Sequence, residues 1–215
     1  MIEVWTAVPS SSERWLALLD EDERVRWGRL VQAADRDAFA TAHGLLRQGL
    51  AELAGVPAAV RLSKGPNGKP FLEGSRWQFN LSHCRELVAV AFCAGRALGV
   101  DVEPVDPRHA TDDVARRVYG PRELEDLARA GNRVERFYER WTLKEAWVKA
   151  TGVGIDDDLP AFQLRIEPGR AFVESGDARP WQFHWWTQGA VKLAVCVAGA
   201  EPIVPRLTAR AAPGA

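Results

Sequence analysis

The stretch W-Q-F-N-L-S-H-C-R-E-L-V-A-V-A-F-C-A-G, residues 77–95, decides the fold that this sequence predicts. Apolar and polar residues alternate at Trp77–Leu81, and a β-rich run follows at Leu87–Ala94, a pattern typical of two paired strands. A matching opening, W-Q-F-H, occurs at Trp181–His184, and the apolar run after it again ends in Ala-Gly, at 198–199. The constant offset from 77 to 181 predicts two related lobes, although two similar hairpins could also arise by chance.

Helical patterns precede each of the two predicted hairpins. Residues 12–30 carry apolar side chains among many charges, and residues 35–54 form a stronger pattern with apolar residues three and four apart. Further along, Pro121 stands at a plausible first helical position, and a longer helix covers about 134–150. Strand patterns at Ile2–Ala7 and at 98–105, and again from 161 onward, complete the set of elements.

This order of elements predicts the α+β class, with two similar lobes that each combine a small antiparallel sheet with helices. We expect an N-terminal lobe over 1–105 and a C-terminal lobe over 106–200. The remaining residues, 201–215, are rich in Pro, Ala and Arg, and we expect them to form a flexible tail.

Composition narrows the class of protein. The 215 residues include 28 basic and 29 acidic side chains, for a net charge of -1, which indicates no general attraction to nucleic acid or to a membrane surface. Three cysteines without C-x-x-C spacing favour a reduced protein of the cytoplasm. The longest apolar run is too short for a membrane span, and the N-terminus lacks the pattern of a signal peptide. We expect a monomer.

Two carboxylates stand one residue apart on a predicted strand. Asp101 and Glu103 in G-V-D-V-E leave the same face of that strand, because successive side chains alternate between its faces. At about 4 Å and an effective dielectric constant near 20, two such charges repel by about 4 kcal/mol, so a cation should lie between them. The alternative is a solvated strand end where the charges keep an edge soluble.

A third carboxylate belongs to the helix around Trp141. Glu145 lies four residues after Trp141, within or beside the apolar stripe, and Lys149 follows one turn later. The alternative is an ordinary surface pair of Glu145 with Lys149, which is common and worth only about 0.3–0.5 kcal/mol. The apolar side of the helix favours a functional site.

Three carboxylates without sulfur ligands suggest Mg²⁺, or Mn²⁺, with a phosphate-bearing substrate. Basic side chains that could hold such a substrate occur along both halves of the chain; they are Lys69, His83, Lys149, Lys64, and Arg26 or Arg47. His43 falls in the apolar stripe of its helix and is interpreted as a core histidine.

Four motifs together resemble the Sfp-type 4′-phosphopantetheinyl transferases. They are G-K-P-F (68–71), F-N-L-S-H (79–83), G-V-D-V-E (99–103) and W-T-L-K-E-A-W-V-K (141–149). The most specific of them is the D-x-E followed some forty residues later by W-x-x-K-E-A-x-x-K. The resemblance implies two lobes related by pseudo-twofold symmetry. It also implies Mg²⁺-dependent transfer of phosphopantetheine from coenzyme A to a serine of an acyl or peptidyl carrier protein, with release of 3′,5′-ADP.

The resemblance also implies roles for individual residues. Asp101, Glu103 and Glu145 would hold the metal, with Glu145 as the general-base candidate, and Lys149 would neutralise or protonate the leaving phosphate. The implied coenzyme A contacts are Lys69, His83, Ser82, Thr41 and Arg26. With the lobe boundary at 105, the metal site would draw on both lobes and coenzyme A would lie in the cleft between them.

Two other functions remain open from the sequence. A Mg²⁺-dependent phosphohydrolase acting on coenzyme A or a related nucleotide could use the same carboxylates, with water in place of the carrier serine. The third hypothesis is a non-catalytic module that binds coenzyme A or a carrier. Mutation of Glu145 would then change nothing measurable.

Overall fold

The structure is a computed structural model, and it describes residues 1–65, 67–153, 159–175, 177 and 179–212. Backbone contacts divide the chain into two compact units. Unit 1 comprises Met1–Gly95 with Ile203–Ala215, and unit 2 comprises Arg96–Pro202. Each unit combines helices with antiparallel strands, so the α+β class is confirmed.

The helices and strands of unit 1 are mostly those that the sequence predicts. In chain order they are β1 (Ile2–Ala7), α1 (Glu21–Arg29), α2 (Ala33–Ala54), β2 (Ser63–Lys64), β3 (Pro70–Phe71), β4 (Trp77–His83) and β5 (Val88–Ala94). Unit 2 continues with β6 (Leu98–Pro104), α3 (Asp112–Val118), α4 (Pro121–Arg129), α5 (Arg133–Thr151), β7 (Gln163–Glu167), β8 (Arg170–Ser175), β9 (Trp181–Gln188) and β10 (Val191–Ala198). The chain then returns to unit 1 with β11 (Pro205–Ala209).

Unit 1 is built on a four-stranded sheet in the order β11-β1-β5-β4. Helix α2 packs on β4 and β5, and its predicted apolar stripe, including Phe39, Leu46 and Leu50, is buried against them. Helix α1 begins later than predicted, because Asp20 and Glu23 form a capping box and only short 3₁₀ turns precede it. The helix therefore starts at its cap.

Unit 2 is built on a three-stranded sheet in the order β6-β10-β9. The long helix α5 packs against both β6 and β10, and Leu143 and Ala146 on this helix are completely buried. Pro121 opens α4 in its first turn, as predicted. Because β9 and β10 form a hairpin like that of β4 and β5, both W-Q-F stretches open a hairpin. The pseudo-twofold relation stays a prediction.

The observed unit boundary differs from the predicted one. We placed it after Val105, but β6 hydrogen-bonds along its length to β10 and so belongs to unit 2. The prediction of a flexible tail is wrong for 205–209, which pair in parallel with β1. Arg206 bonds to Glu3 at 2.9 Å, so this strand closes the sheet of unit 1.

Two further predictions concern membrane-spanning helices and disulfide bonds. None of the helices in the described part of the chain is long and apolar enough to cross a membrane. Cys84, Cys93 and Cys196 form no disulfide with one another.

Candidate active site

Strand β6 and helix α5 bring the predicted carboxylates into one neighbourhood. Asp101 and Glu103 lie on β6, and Glu145 and Lys149 lie on α5, which packs directly on that strand. All four residues belong to unit 2. The expectation that each lobe contributes carboxylates is therefore wrong, because β6 joins the sheet that α5 covers.

Gly99 sets how closely the helix approaches the strand. A Cβ atom at this position would lie 2.1 Å from the carbonyl oxygen of Ala146 and 2.4 Å from the backbone nitrogen of Ala150. These atoms belong to the turns of α5 that carry Glu145 and Lys149. The glycine of G-V-D-V-E thus allows the backbone contact on which the carboxylate cluster depends.

Replacing Gly99 by alanine is therefore expected to destabilise the protein by about 1–3 kcal/mol, because the added methyl group overlaps backbone that cannot move alone. The measurement is chemical denaturation followed by circular dichroism. Gly131→Ala is the matched control, since a Cβ there meets nothing within 4 Å. Equal midpoints for the two variants would contradict the proposed close contact.

Asp101 is the most buried of the three carboxylates, with 2% of the residue exposed. Its Oδ1 accepts a hydrogen bond from Nζ of Lys149 at 2.6 Å. The structure thus provides the cation that electrostatic repulsion between the carboxylates requires. It also shows that Lys149 reaches across to the strand.

Glu103 is held from the helix side by a tryptophan. Nε1 of Trp141 donates a hydrogen bond to Oε1 of Glu103 at 3.0 Å. Burial and the charge of Asp101 together raise the pKa of Glu103 to about 7, although the bond from Trp141 and the charge of Lys149 oppose the shift. The first residue of W-T-L-K-E-A thereby orients a carboxylate of the other motif.

Burial and the charges of the other two carboxylates raise the pKa of Glu145. Burial, together with the charge of Asp101, raises its pKa to about 7, although the charge of Lys149 opposes the shift. Its Oε1 is buried and has no hydrogen-bond partner among the residues that the structure describes. The cluster therefore has a deficit of positive charge and of donors, which a bound cation would relieve.

The donor set suits a hard divalent cation, because the cluster offers carboxylate oxygens only. Within the described ranges, no group of three or more His, Cys, Asp or Glu side chains is arranged so that it could hold a metal ion. Magnesium does not require such a cage, since it usually takes one or two carboxylates and completes its shell with water and substrate phosphate. The residues present fit Mg²⁺ in that mode.

Basic residues of unit 1 line a separate cavity of about 150 Å³. Arg26, His43 and Lys64 are among its lining side chains. The ring of Phe39 organises this region: it stacks on His43 at 4.1 Å between centroids, and the Arg26 guanidinium lies 5.2 Å from its centre. His83 packs edge-on to the same ring at 6.4 Å. Arg26 and His83 are thus neighbours of one aromatic side chain.

The remaining predicted contacts have different positions. Lys69 is half-buried. The residues on either side of it, Gly68 and Pro70, line the cavity. Ser82 is buried on β4 beside the exposed His83. Thr41 is completely buried, and its hydroxyl exchanges hydrogen bonds with the backbone of Ser10, so its contacts are those of a core residue.

The structure also places two other basic residues, one of them as predicted. Arg47 is completely buried and bonds to Asp20, to Glu23 and to two backbone carbonyls, so it is a structural ion-pair residue. His43 is buried, as predicted, but it also lines the cavity beside Arg26. The sequence signal that could have found it is its position four residues after Phe39 on α2, since such residues lie on one helix face.

Family models and named relatives point to the same family for both halves of the chain. A family model described as the 4′-phosphopantetheinyl transferase superfamily matches residues 97–197, and one described as 4′-phosphopantetheinyl transferase, N-terminal, matches residues 3–94. The 4′-phosphopantetheinyl transferase HetI of Nostoc sp. is 36% identical over 160 residues, which cover 71% of this chain and 67% of that protein. The 4′-phosphopantetheinyl transferase of Bacillus subtilis is 27% identical over 193 residues, covering 86% and 85%.

Among solved structures, the holo-[acyl-carrier-protein] synthase of Neisseria meningitidis aligns with a TM-score of 0.43 at 21% identity. The alignment covers 48% of this chain and 98% of that one. The family models and the HetI relative are the decisive findings, because together they span both units and include all four motifs. The chain belongs to the 4′-phosphopantetheinyl transferase superfamily.

Proposed function

We propose that this protein transfers the 4′-phosphopantetheine group of coenzyme A to the serine hydroxyl of an apo acyl or peptidyl carrier protein and releases 3′,5′-ADP. The observation that carries the proposal is the pair of buried carboxylates, Asp101 and Glu145, beside the half-buried Glu103 and Lys149, in a chain of this superfamily. Buried carboxylates destabilise a fold unless they are paired with a positive charge or bind a metal ion.

Of Asp101, Glu103 and Glu145, one or two carboxylates at a time would bind Mg²⁺, or Mn²⁺ in its place. When bound, the metal supplies positive charge to the pyrophosphate of the substrate. The described geometry provides the oxygen donors, and burial together with the charge of Asp101 raises the pKa of both Glu103 and Glu145.

The chain's own groups account for the proton and the leaving group. The serine oxygen forms a bond to the β-phosphorus of coenzyme A, the bond from that phosphorus to the oxygen of 3′,5′-ADP breaks, and the serine proton passes to a base. Oε1 of Glu145 is the proposed base, because this buried carboxylate oxygen has no hydrogen-bond partner among the described residues and can accept the serine proton. Nζ of Lys149 would stabilise the leaving phosphate.

In unit 1, the cavity beside Arg26 and Lys64 would bind the nucleotide part of coenzyme A, with Lys69 and His83 as further phosphate contacts. Ser82 stays a proposed contact of the nucleotide, whereas Thr41 is left out of the proposal because its completely buried hydroxyl bonds to the backbone of Ser10. We further expect a monomer, because one chain supplies both units, and a cytoplasmic location, which three cysteines without C-x-x-C spacing favour.

Intact-mass analysis of apo carrier proteins tests the function directly. After incubation with this protein, coenzyme A and Mg²⁺, we expect a gain of about 340 Da on the carrier serine, the mass of one phosphopantetheine group. EDTA is expected to abolish the gain, and added Mg²⁺ to restore it. Consumption of coenzyme A without any gain would indicate a phosphohydrolase instead, and neither gain nor consumption would favour a binding module.

A further inference from the structure

His43 is a buried imidazole in the wall of the unit 1 cavity, held from two sides. Its Nδ1 lies 2.8 Å from Oε1 of Glu23, and its ring stacks on Phe39 with centroids 4.1 Å apart and planes inclined by 28°. The residue is 7% exposed. A side chain fixed in this way loses little conformational entropy when it binds a ligand.

The partner of Nδ1 fixes the proton positions. Bonds from His43 and Arg47 outweigh the effect of burial and lower the pKa of Glu23 to about 2, so its carboxylate is ionised and can only accept. Nδ1 of His43 must therefore carry hydrogen. The other ring nitrogen, Nε2, is the one left to meet a ligand, and a phosphate oxygen there would also accept, so the ring would bind it as an imidazolium with one N–H for each acceptor.

Acidic side chains also line the cavity, and each of them has a basic partner. Asp20 and Glu23 line it, but both are paired with the fully buried Arg47. Asp22 lies 3.9 Å from Lys64, and both of these side chains are largely exposed. Arg26 thus faces the cavity from α1 with its guanidinium over Phe39, the ring on which His43 also stacks.

We propose that His43 is a further substrate-binding residue, whose Nε2 donates a hydrogen bond to a phosphate oxygen of the coenzyme A nucleotide beside Arg26. Glu23 and Phe39 act on it as positioning residues. The inference rests on the proposed function, since it names a contact of the same substrate. A charge-assisted bond of this kind strengthens binding without taking part in the transfer step.

The test is steady-state kinetics of carrier modification by the full chain. His43→Phe keeps an aromatic ring for the stack on Phe39 and removes both nitrogens, and we expect it to raise KM for coenzyme A about tenfold. The value of kcat and the KM for the carrier are expected to stay unchanged. His43→Gln is the second variant, because it keeps an amide donor toward Glu23 if the phenylalanine variant does not fold.

His109→Phe is the matched control, because this histidine belongs to unit 2 and its side chain is 75% exposed. An unchanged KM for coenzyme A in a folded His43 variant would overturn the inference, as would an equal rise in KM for coenzyme A and for the carrier. Failure of the wild-type protein to modify any carrier would instead count against the proposed function, so the two failures are distinguishable.

Discussion

Replacing Glu145 by glutamine is expected to lower kcat for carrier modification by about 10²–10⁴-fold, the range that a positioned general base contributes. Glutamine has nearly the same shape as glutamate but has neither its charge nor its basic oxygen. The buried Oε1 of Glu145 has no partner within the described part of the chain, so the loss falls on ligand and proton binding rather than on packing. Mass spectrometry of the carrier, sampled over time at saturating coenzyme A, measures it.

The matched control is Glu135→Gln on the same helix. Glu135 lies in the first turn of α5, its side chain is 42% exposed, and it pairs with Lys192, whose side chain is 12% exposed. Because Glu135 is not one of the proposed metal ligands or the proposed base, kcat is expected to stay near the wild-type value. If Glu145→Gln retained full activity and the same metal dependence, Glu145 would be neither base nor ligand.

The second large effect concerns a buried ion cluster behind the active-site helix. Glu123 on α4 has a fully buried side chain. It accepts hydrogen bonds from Lys144 at 2.7 Å, from Arg140 at 3.3 Å and from the backbone nitrogen of Leu164 at 3.0 Å. Because Lys144 immediately precedes Glu145, the cluster anchors α5 next to the proposed base.

Glu123→Gln is expected to lower the free energy of unfolding by about 3–5 kcal/mol, because it leaves Lys144 and Arg140 buried without their shared counter-charge. Urea denaturation monitored by tryptophan fluorescence measures the change. Burial already lowers the pKa of Lys144, although Glu123 opposes this, so the lysine is expected to respond strongly.

Glu125→Gln on the same helix provides the comparison for this prediction. Glu125 is 63% exposed in its side chain and pairs with Arg129 one turn later, an interaction worth only about 0.3–0.5 kcal/mol. A Glu123 variant that unfolds at the same urea concentration as the Glu125 variant would mean that the buried cluster contributes nothing to stability.

Much of the candidate site could be predicted from the sequence because its residues lie in short, regular elements. The alternation of G-V-D-V-E predicts a strand with Asp101 and Glu103 on one face, and the spacing of Glu145 and Lys149 predicts one side of a helix. The requirement for a cation near Asp101 follows from electrostatic repulsion alone, and Lys149 meets it.

The sequence by itself thus determined the α+β class, the two hairpins and the set of carboxylates, since local periodicity and charge decide each of these. Only the tertiary structure decided which unit owns β6 and where residues 205–209 belong, because strand pairing joins residues about 90 and 200 positions apart. It also decided the environments of Arg47 and His43. Both lie on α2, but Arg47 belongs to a buried ion cluster and His43 lines a cavity. This difference depends on the elements that pack against the helix and not on the helix's own sequence pattern.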